Sequence, residues 1–365
     1  EEYKNPAVGR YKNILRYSAR VWNTVTKQHS VIKRANRMFN RKLWRLEYTP
    51  WNSNDRKSRK RMDVRPLTII VDGLNDRVFK ISKESAECKI IPVGDLPFDL
   101  QMIIEPSKIK TMTPKYFFYG PDESLKLTYT KFTHRGGVPC YLWTMDRFGW
   151  PPGFSHIRTR WQWCFVNQEF YGSSYPSKSS YPISLDIYVL EALHTWGKID
   201  HRQGHKFSFQ FYDVNTALNG LEQTQGFDTS PCFKTEERKT LHLTLKSHVS
   251  PEITRESQFL RNFYDAFVKF GGNFKNPYLY IKYFEVHQND KNETFLECTI
   301  LGSLGEPRSL FSSLNVPNIT LVMEKLSWRA GTGGLGFAFN QVNYTVSKVC
   351  YTETLISSLN TPLDS

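Results

Sequence analysis

The sequence contains no apolar run that approaches the roughly 18–20 residues needed for a membrane-spanning helix. Its first residues, Glu1-Glu2-Tyr3-Lys4, also lack the apolar stretch of a secretory signal peptide. We therefore expect no membrane span, and the sequence itself offers no leader that would direct secretion.

Cysteine is scarce, with six residues in 365, and no two of them form a C-x-x-C pair. The spacing of a structural zinc site is therefore missing. We expect free and mostly buried thiols, with three disulfides as the alternative that an even number permits. The six positions are Cys88, Cys140, Cys164, Cys232, Cys298 and Cys350.

Catalytic motifs are also lacking, since the sequence has no G-x-S-x-G, no P-loop and no H-E-x-x-H. Residues 331–336 match G-x-G-x-x-G, but an alternating segment follows them, so we interpret them as a glycine turn between two strands. Asp200, His201 and His205 lie close together, and a polar loop explains them better than a metal site. We predict no enzyme, no cofactor and no metal, although catalytic groups distant in sequence would escape such a search.

Acidic residues are rare at the start of the chain. Residues 1–65 contain 18 Lys and Arg against 5 Asp and Glu, a net charge of +13, whereas the other 300 residues contain 31 against 30. Nearly all of the excess positive charge therefore lies in one short segment. Such asymmetry is typical of a segment that binds a polyanion, usually nucleic acid.

The apolar residues of this segment recur at intervals of three and four, which predicts a long amphipathic helix. Asn5-Pro6 suits the start of a helix, and Pro50 would end it. Nine of the twelve positions in the stripe are apolar or aromatic: Val8, Tyr11, Leu15, Ser18, Trp22, Val25, His29, Ile32, Asn36, Phe39, Leu43 and Leu46.

The other faces of this predicted helix, and a basic cluster after it, carry the candidate ligands of nucleic acid. Each Lys or Arg that neutralises a phosphate releases counterions, which gives binding that is insensitive to sequence and sensitive to salt. The candidates are Lys12, Arg16, Arg20, Lys27, Lys33, Arg34, Arg37, Arg41, Lys42, Arg45, Arg56, Lys57, Arg59, Lys60 and Arg61.

From Pro66 onward the pattern changes to alternating strands. Apolar residues alternate with polar ones around Trp161 and around Phe209, which predicts that both lie in a core. One helix is predicted near residues 251–270. Further strands are predicted along the body, among them residues 98–104, 116–119, 318–328 and 336–351.

The sequence thus predicts a basic helical arm, residues 1–65, and a mainly β body, residues 66–365, built as an antiparallel sandwich or jelly roll with insertions. This layout is typical of a viral capsid or nucleocapsid subunit. We expect the body to self-associate into a large symmetric shell and the arm to bind packaged nucleic acid. The protein would then be located in the virion, with nuclear import through residues 56–61 during assembly. Removing residues 1–61 should leave the body folded.

Two other functions stay open. A secreted or luminal adhesion or receptor domain would pair the six cysteines and use the sequons at Asn292, Asn318 and Asn343, although chance alone accounts for three sequons. A scaffold subunit of a ribonucleoprotein complex would use the basic arm along RNA. The sequence does not decide between DNA and RNA, between single and double strands, or between shell symmetries.

Overall fold

The structure of the protein is a computed structural model that describes eighteen parts of the chain: residues 14–23, 29–49, 66–85, 87–96, 100–101, 104–105, 113, 117–118, 127–150, 157–166, 181–191, 206–215, 226–246, 249–254, 256–271, 276–288, 293–303 and 316–352. The chain divides into two compact units, Glu1–Leu218 and Asn219–Ser365.

The first unit contains one antiparallel sheet of eleven strands. In spatial order the strands run β6-β5-β4-β3-β2-β1-β11-β10-β9-β8-β7. Their bounds are β1 Ile14–Asn23, β2 His29–Met38, β3 Leu43–Thr49, β4 Leu67–Asp72, β5 Arg77–Ser82, β6 Cys88–Pro92, β7 Thr128–Arg135, β8 Val138–Phe148, β9 Arg158–Val166, β10 Pro182–Glu191 and β11 Lys206–Asn215.

The order of these strands describes two meanders, β1 to β6 and β7 to β11, that join where β1 pairs with β11. The chain therefore ends the first meander at one edge of the sheet and begins the second at the opposite edge. At roughly 4.8 Å per strand, the two edges of a flat sheet of this size would be about 48 Å apart. Residues 93–127, the crossing segment, connect these edges.

Alternation along the strands places one face of this sheet in a large apolar core. On β1 the side chains of Leu15, Tyr17, Ala19 and Val21 are all buried there, each with at most 3% of its surface exposed. The core takes side chains from nine of the eleven strands and from the crossing segment. Trp161 and Phe209, which alternation assigned to a core, are both buried in it.

The predicted N-terminal helix is wrong, because the described residues before Pro50 form β1, β2 and β3. The buried side chains of β1 alternate regularly, so irregularities in the ladder account for the misleading spacing only in part, on β2. The register shifts between Ile32 and Arg34 on β2, so Ile32 and Ala35 both face the core although three positions separate them. A spacing of three in an otherwise alternating strand imitates the spacing of a helix. β3 also pairs with β4, so one sheet extends across residues 65 and 66.

The second unit contains a five-stranded antiparallel sheet in the order β13-β14-β12-β16-β15. Helices cover one of its faces, and Phe259 on α2 contacts Phe337 and Tyr344 of the sheet. The elements are β12 Arg238–Leu245, α1 Pro251–Thr254, α2 Ser257–Gly271, α3 Pro277–Tyr280, β13 Ile281–Gln288, β14 Thr294–Leu301, α4 Ile319–Gly331, β15 Gly336–Phe339 and β16 Val342–Thr352.

Several local predictions also fail. Residues 318–328 are not a strand but most of α4, which the side chain of Asn318 caps by accepting a hydrogen bond from the backbone N–H of Leu321. Residues 331–336 consequently connect a helix, which ends at Gly331, to a strand, which begins at Gly336, and not two strands. Within residues 98–104 and 116–119, the described residues are helical rather than extended. Asp200, His201 and His205 lie outside the described residues.

The fold is therefore mainly β with antiparallel sheets, as predicted. The predicted jelly roll is not observed, because every pair of neighbouring strands in the large sheet except β1 with β11 is consecutive in sequence, as in meanders. Across the residues that the structure describes, no helix is long and apolar enough to span a membrane.

Candidate functional site

The apolar face of the eleven-stranded sheet is the principal candidate for a functional site. Described residues of the crossing segment lie on this face, and six of their side chains are buried in the same core as the strands. These are Val93, Leu96, Leu100, Ile104, Phe118 and Leu127, each at most 4% exposed.

Phe117 and Phe118 of the crossing segment lie in a cage of aromatic rings. The ring centroid of Phe118 is 5.2 Å from that of Trp163 and 5.9 Å from that of Phe165, both on β9. Phe117 lies 6.0 Å from Trp163 and 6.5 Å from Phe39, which follows β2. Tilted and edge-to-face contacts at these distances stabilise aromatic pairs.

These contacts indicate that the sheet curls around the crossing segment. β2 and β9 are four ladder spacings apart, which is about 19 Å along a flat sheet. Nevertheless, Phe39 beside β2 and Trp163 on β9 both lie within 6.5 Å of the ring of Phe117. The apolar face is therefore concave, and the ring of Phe117 from the crossing segment lies in its interior.

Two buried arginines hold the crossing segment against the sheet. The guanidinium of Arg37 on β2 lies 4.4 Å from the ring centroid of Phe117 and 4.4 Å from that of Trp44, and its Nε donates a hydrogen bond of 3.1 Å to the hydroxyl of Tyr17. Arg147 on β8 lies 3.3 Å from the carboxylate of Glu105, which belongs to the segment. The interior is thus apolar apart from a few charged groups that have specific partners, an arrangement typical of ligand sites.

Four of the six cysteines are in disulfide form, so the prediction of free thiols is wrong for most of them. Cys140 on β8 is bonded to Cys164 on β9, and Cys88 and Cys232 are also disulfide-bonded. Cys298 is a free, buried thiol, and burial raises its pKa. Disulfides persist in oxidising compartments, which disfavours a reducing cytosolic environment.

The structure separates the predicted ligands of nucleic acid. Arg37 is buried in the concave interior with 1% exposure, where it cannot reach an external polyanion. Arg16, Lys33 and Arg34 line one pocket, and Arg45 forms an ion pair with Glu47. Arg20, Arg41 and Lys42 are distributed over β1 and the turn between β2 and β3. Lys12, Lys27, Arg56, Lys57, Arg59, Lys60 and Arg61 lie outside the described residues.

Sequence reasoning missed the residues of the concave interior as functional candidates. Alternation around Trp161 and Phe209 did predict inward-facing aromatics, which is the signal that could have found them. The crossing segment gave no comparable signal, because Phe117 and Phe118 are adjacent and were assigned to a strand. In the described parts of the chain, no group of three or more His, Cys, Asp or Glu residues is arranged to hold a metal ion.

One open, strongly curved antiparallel sheet with an apolar interior defines the class of this unit. Residues 15–233 match the family model of the metazoan second LolA-like domain. The matched residues make up more than half of the chain, so the chain belongs to this family. A comparison with curated proteins finds no match to the sequence.

Similar solved structures include bacterial proteins. The Mycobacterium tuberculosis lipoprotein LppX is 8% identical with a TM-score of 0.30, and the match covers 58% of this chain and 92% of LppX. LprF from Mycobacterium bovis is 9% identical with a TM-score of 0.32, covering 58% and 91%. A LolA superfamily protein from Nitrosomonas europaea is 4% identical with a TM-score of 0.18, covering 55% and 84%. These likenesses are weak, and the assignment depends on the family model.

The family overturns the predicted function. A metazoan LolA-like domain is not a viral capsid or nucleocapsid subunit, so the predictions of a virion location, of packaged nucleic acid as partner and of self-assembly into a shell are wrong. The secreted or luminal, disulfide-bonded alternative agrees better with the family and with the disulfides.

Proposed function

We propose that the concave interior of the eleven-stranded sheet binds the acyl chain of a lipid or of a lipid-modified protein. LolA-like domains bind lipids or lipoproteins. The observation that carries the proposal is that the apolar side chains of the crossing segment already fill a curved, aromatic interior. An acyl chain would take the place of those side chains.

The free energy gained by burying an acyl chain is similar to that lost when the side chains of the crossing segment leave the interior. Burying an acyl chain of about 16 carbons is worth roughly 12 kcal/mol at about 0.8 kcal/mol per methylene. Burying the six apolar side chains of the crossing segment is worth roughly 9–18 kcal/mol by the same scale. Because the two terms are similar, the interior could accept a chain and later release it, as a carrier must.

The proposed role is binding, not catalysis, and the proposed location is a secreted or luminal compartment. The apolar interior offers a surface for acyl chains, and its charged groups, Arg37 and Arg147, both contact the crossing segment. The cross-strand bond between Cys140 and Cys164 fits an oxidising environment.

Titration of the full chain with a phospholipid that carries a fluorescent acyl chain tests this proposal. We expect a saturable rise in fluorescence that unlabelled phospholipid reverses. The variant Glu105→Gln removes the carboxylate that pairs with Arg147, so the crossing segment should be displaced more easily and the probe should bind several-fold more tightly.

Asp146→Asn is the matched control, because Asp146 precedes Arg147 on β8 and forms ion pairs of 2.7 and 2.8 Å with Arg158 and Arg160. This variant breaks ion pairs that do not involve the crossing segment, and its affinity for the probe should equal that of the native chain. Absence of saturable binding in the native chain, or equal affinities of the native chain and Glu105→Gln, would contradict the proposal.

A further inference from the structure

The ladder of the large sheet is irregular on both sides of β1. Between β1 and β11, Arg16 pairs with Asn215 but Ser18 pairs with Tyr212, so β11 has an extra residue at this point. Between β1 and β2, the pairs shift in the same place, from Tyr17 with Ala35 to Ala19 with Ile32. β-bulges of this kind redirect side chains and are common beside binding sites.

A pocket of about 660 Å³ opens at these two bulges. Its volume lies in the range of small-molecule sites. Arg16 and Ser18 alternate with the buried Leu15 and Ala19, so the polar side chains that β1 contributes lie on the face opposite the concave interior. The lining residues are Arg16, Tyr17, Ser18, Lys33, Arg34, Glu47, Asp213 and Val214.

The charge available to a ligand in this pocket is positive. Glu47 forms ion pairs of 2.9 Å with Arg45 and 2.7 Å with Lys83, so its negative charge is already balanced. Burial by itself raises the pKa of Glu47, but the hydrogen bond from Lys83 and the nearby cations outweigh it and hold the pKa below its usual value. The carboxylate of Glu47 therefore stays ionised and bound to those cations.

Three cations, Arg16, Lys33 and Arg34, remain around the pocket, opposed by the exposed carboxylate of Asp213. Within the described ranges, none of these three side chains forms a direct ion pair, although the charge of Arg34 contributes to lowering the pKa of Glu47. Two guanidinium groups and one ammonium group around a single pocket suit a phosphate, because guanidinium matches the geometry of phosphate oxygens and can donate two parallel hydrogen bonds to them.

We propose that this pocket, formed where the bulges of β2 and β11 flank β1, binds a phosphate monoester. The pocket is larger than a phosphate ion, so it has room for the group to which the phosphate is attached. A small soluble phosphate monoester and the headgroup of phosphatidic acid share this chemistry. None of the lining residues belongs to the crossing segment, and Tyr17 among them contacts that segment, through Phe117. The three cations that would bind the phosphate do not take part in that contact, so the site is tested separately from acyl-chain binding.

Isothermal titration of the full chain with glycerol 3-phosphate tests the site directly. We expect saturable binding that weakens as salt increases, because the cations are partly exposed. Arg16→Gln and Arg34→Gln should each weaken binding about tenfold, equivalent to a loss of roughly 1.4 kcal/mol. Asp213→Asn should strengthen binding, because it removes the opposing charge.

Arg20→Gln is the matched control, since Arg20 lies on β1 and is exposed but does not line the pocket. Flotation with vesicles of phosphatidylcholine, with and without phosphatidic acid, identifies the source of the phosphate. Vesicle binding that requires phosphatidic acid and is lost in Arg34→Gln supports a lipid headgroup, and glycerol 3-phosphate binding without vesicle binding supports a soluble ester.

The proposal is overturned if the native chain binds neither ligand, or if Arg20→Gln weakens binding as much as Arg34→Gln does. The acyl-chain titration separates this result from the proposed function. The fluorescent phospholipid is chosen to carry no phosphate monoester. Arg34→Gln should then bind it as strongly as the native chain does. Either proposal can therefore fail without the other.

Discussion

Deletion of residues 1–61 should abolish folding of the eleven-stranded unit. The deletion removes β1, β2 and β3, which lie between β4 and β11 in the middle of the sheet. It also removes at least seven large core side chains, each worth roughly 1.5–3 kcal/mol when buried. The summed loss of roughly 10–21 kcal/mol is as large as the whole stability of a domain, roughly 5–15 kcal/mol, before the lost strand pairing is counted. The side chains are Leu15, Tyr17, Val21, Ile32, Trp44, Leu46 and Tyr48.

The measurement compares near-UV circular dichroism and thermal unfolding of this deletion with those of a chain that lacks only residues 1–13. The shorter deletion retains every described strand, and it should keep a cooperative transition. Charge alone predicted that residues 1–61 could be removed without harm. A monomeric chain from residue 62 that unfolds cooperatively, with native aromatic signals, would contradict the strand order given above.

Replacing Trp163 with Ala should lower the free energy of unfolding of this unit by about 3–5 kcal/mol, the cost of deleting a large buried aromatic side chain. Trp163 is fully buried, and its ring centroid is 5.2 Å from that of Phe118 and 5.8 Å from those of Phe165 and Phe211. The substitution removes the ring that contacts both the crossing segment, at Phe118, and the neighbouring strand residues Phe165 and Phe211.

Urea unfolding followed by near-UV circular dichroism measures this change. Phe148→Ala is the control, because Phe148 on the neighbouring strand β8 is 64% exposed, and its loss should change the free energy of unfolding by less than about 0.5 kcal/mol. A loss below about 1 kcal/mol for Trp163→Ala would show that the aromatic rings do not form the tightly packed interior described here.

Most strands after Pro66 could be predicted from sequence because apolar and polar residues alternate along them. Leu241, Leu243 and Leu245 alternate with polar residues and are all buried on one face of β12. The strands before Pro50 were missed, although the buried residues of β1 also alternate, because apolar residues at intervals of three and four run through the same segment. Their bulges depend on which strands pair, and pairing of β1 with β11 joins residues that are about 190 positions apart in sequence.

The helix α4 shows how local composition misleads. Its first residues, Ile319 to Val322, include β-branched side chains that favour strands. The signals for a helix were also present: Asn318 is a good N-cap, and Val322, Leu326 and Ala330 recur at intervals of four and are buried. Packing against the five-stranded sheet decided the outcome, and packing is not visible in a short window of sequence.

The candidate site was less predictable than the fold. Charge counted along the chain does not say where a side chain points, and Arg37 faces the concave interior whereas Arg16, Lys33 and Arg34 line an external pocket. The passage of the crossing segment over the sheet follows from the strand order, not from any motif in residues 93–127. Pairing of Cys140 with Cys164 likewise requires that β8 and β9 be neighbours.

Native mass spectrometry of the full chain tests most directly whether the concave interior binds an acyl lipid. The protein is secreted from animal cells and measured before and after lipid extraction. We predict a bound species with the mass of one acyl lipid, lost on extraction and regained when the extracted protein is incubated with phospholipid vesicles. A chain that shows no bound lipid on secretion, and takes up none from vesicles while its disulfides and circular dichroism remain native, would contradict the account.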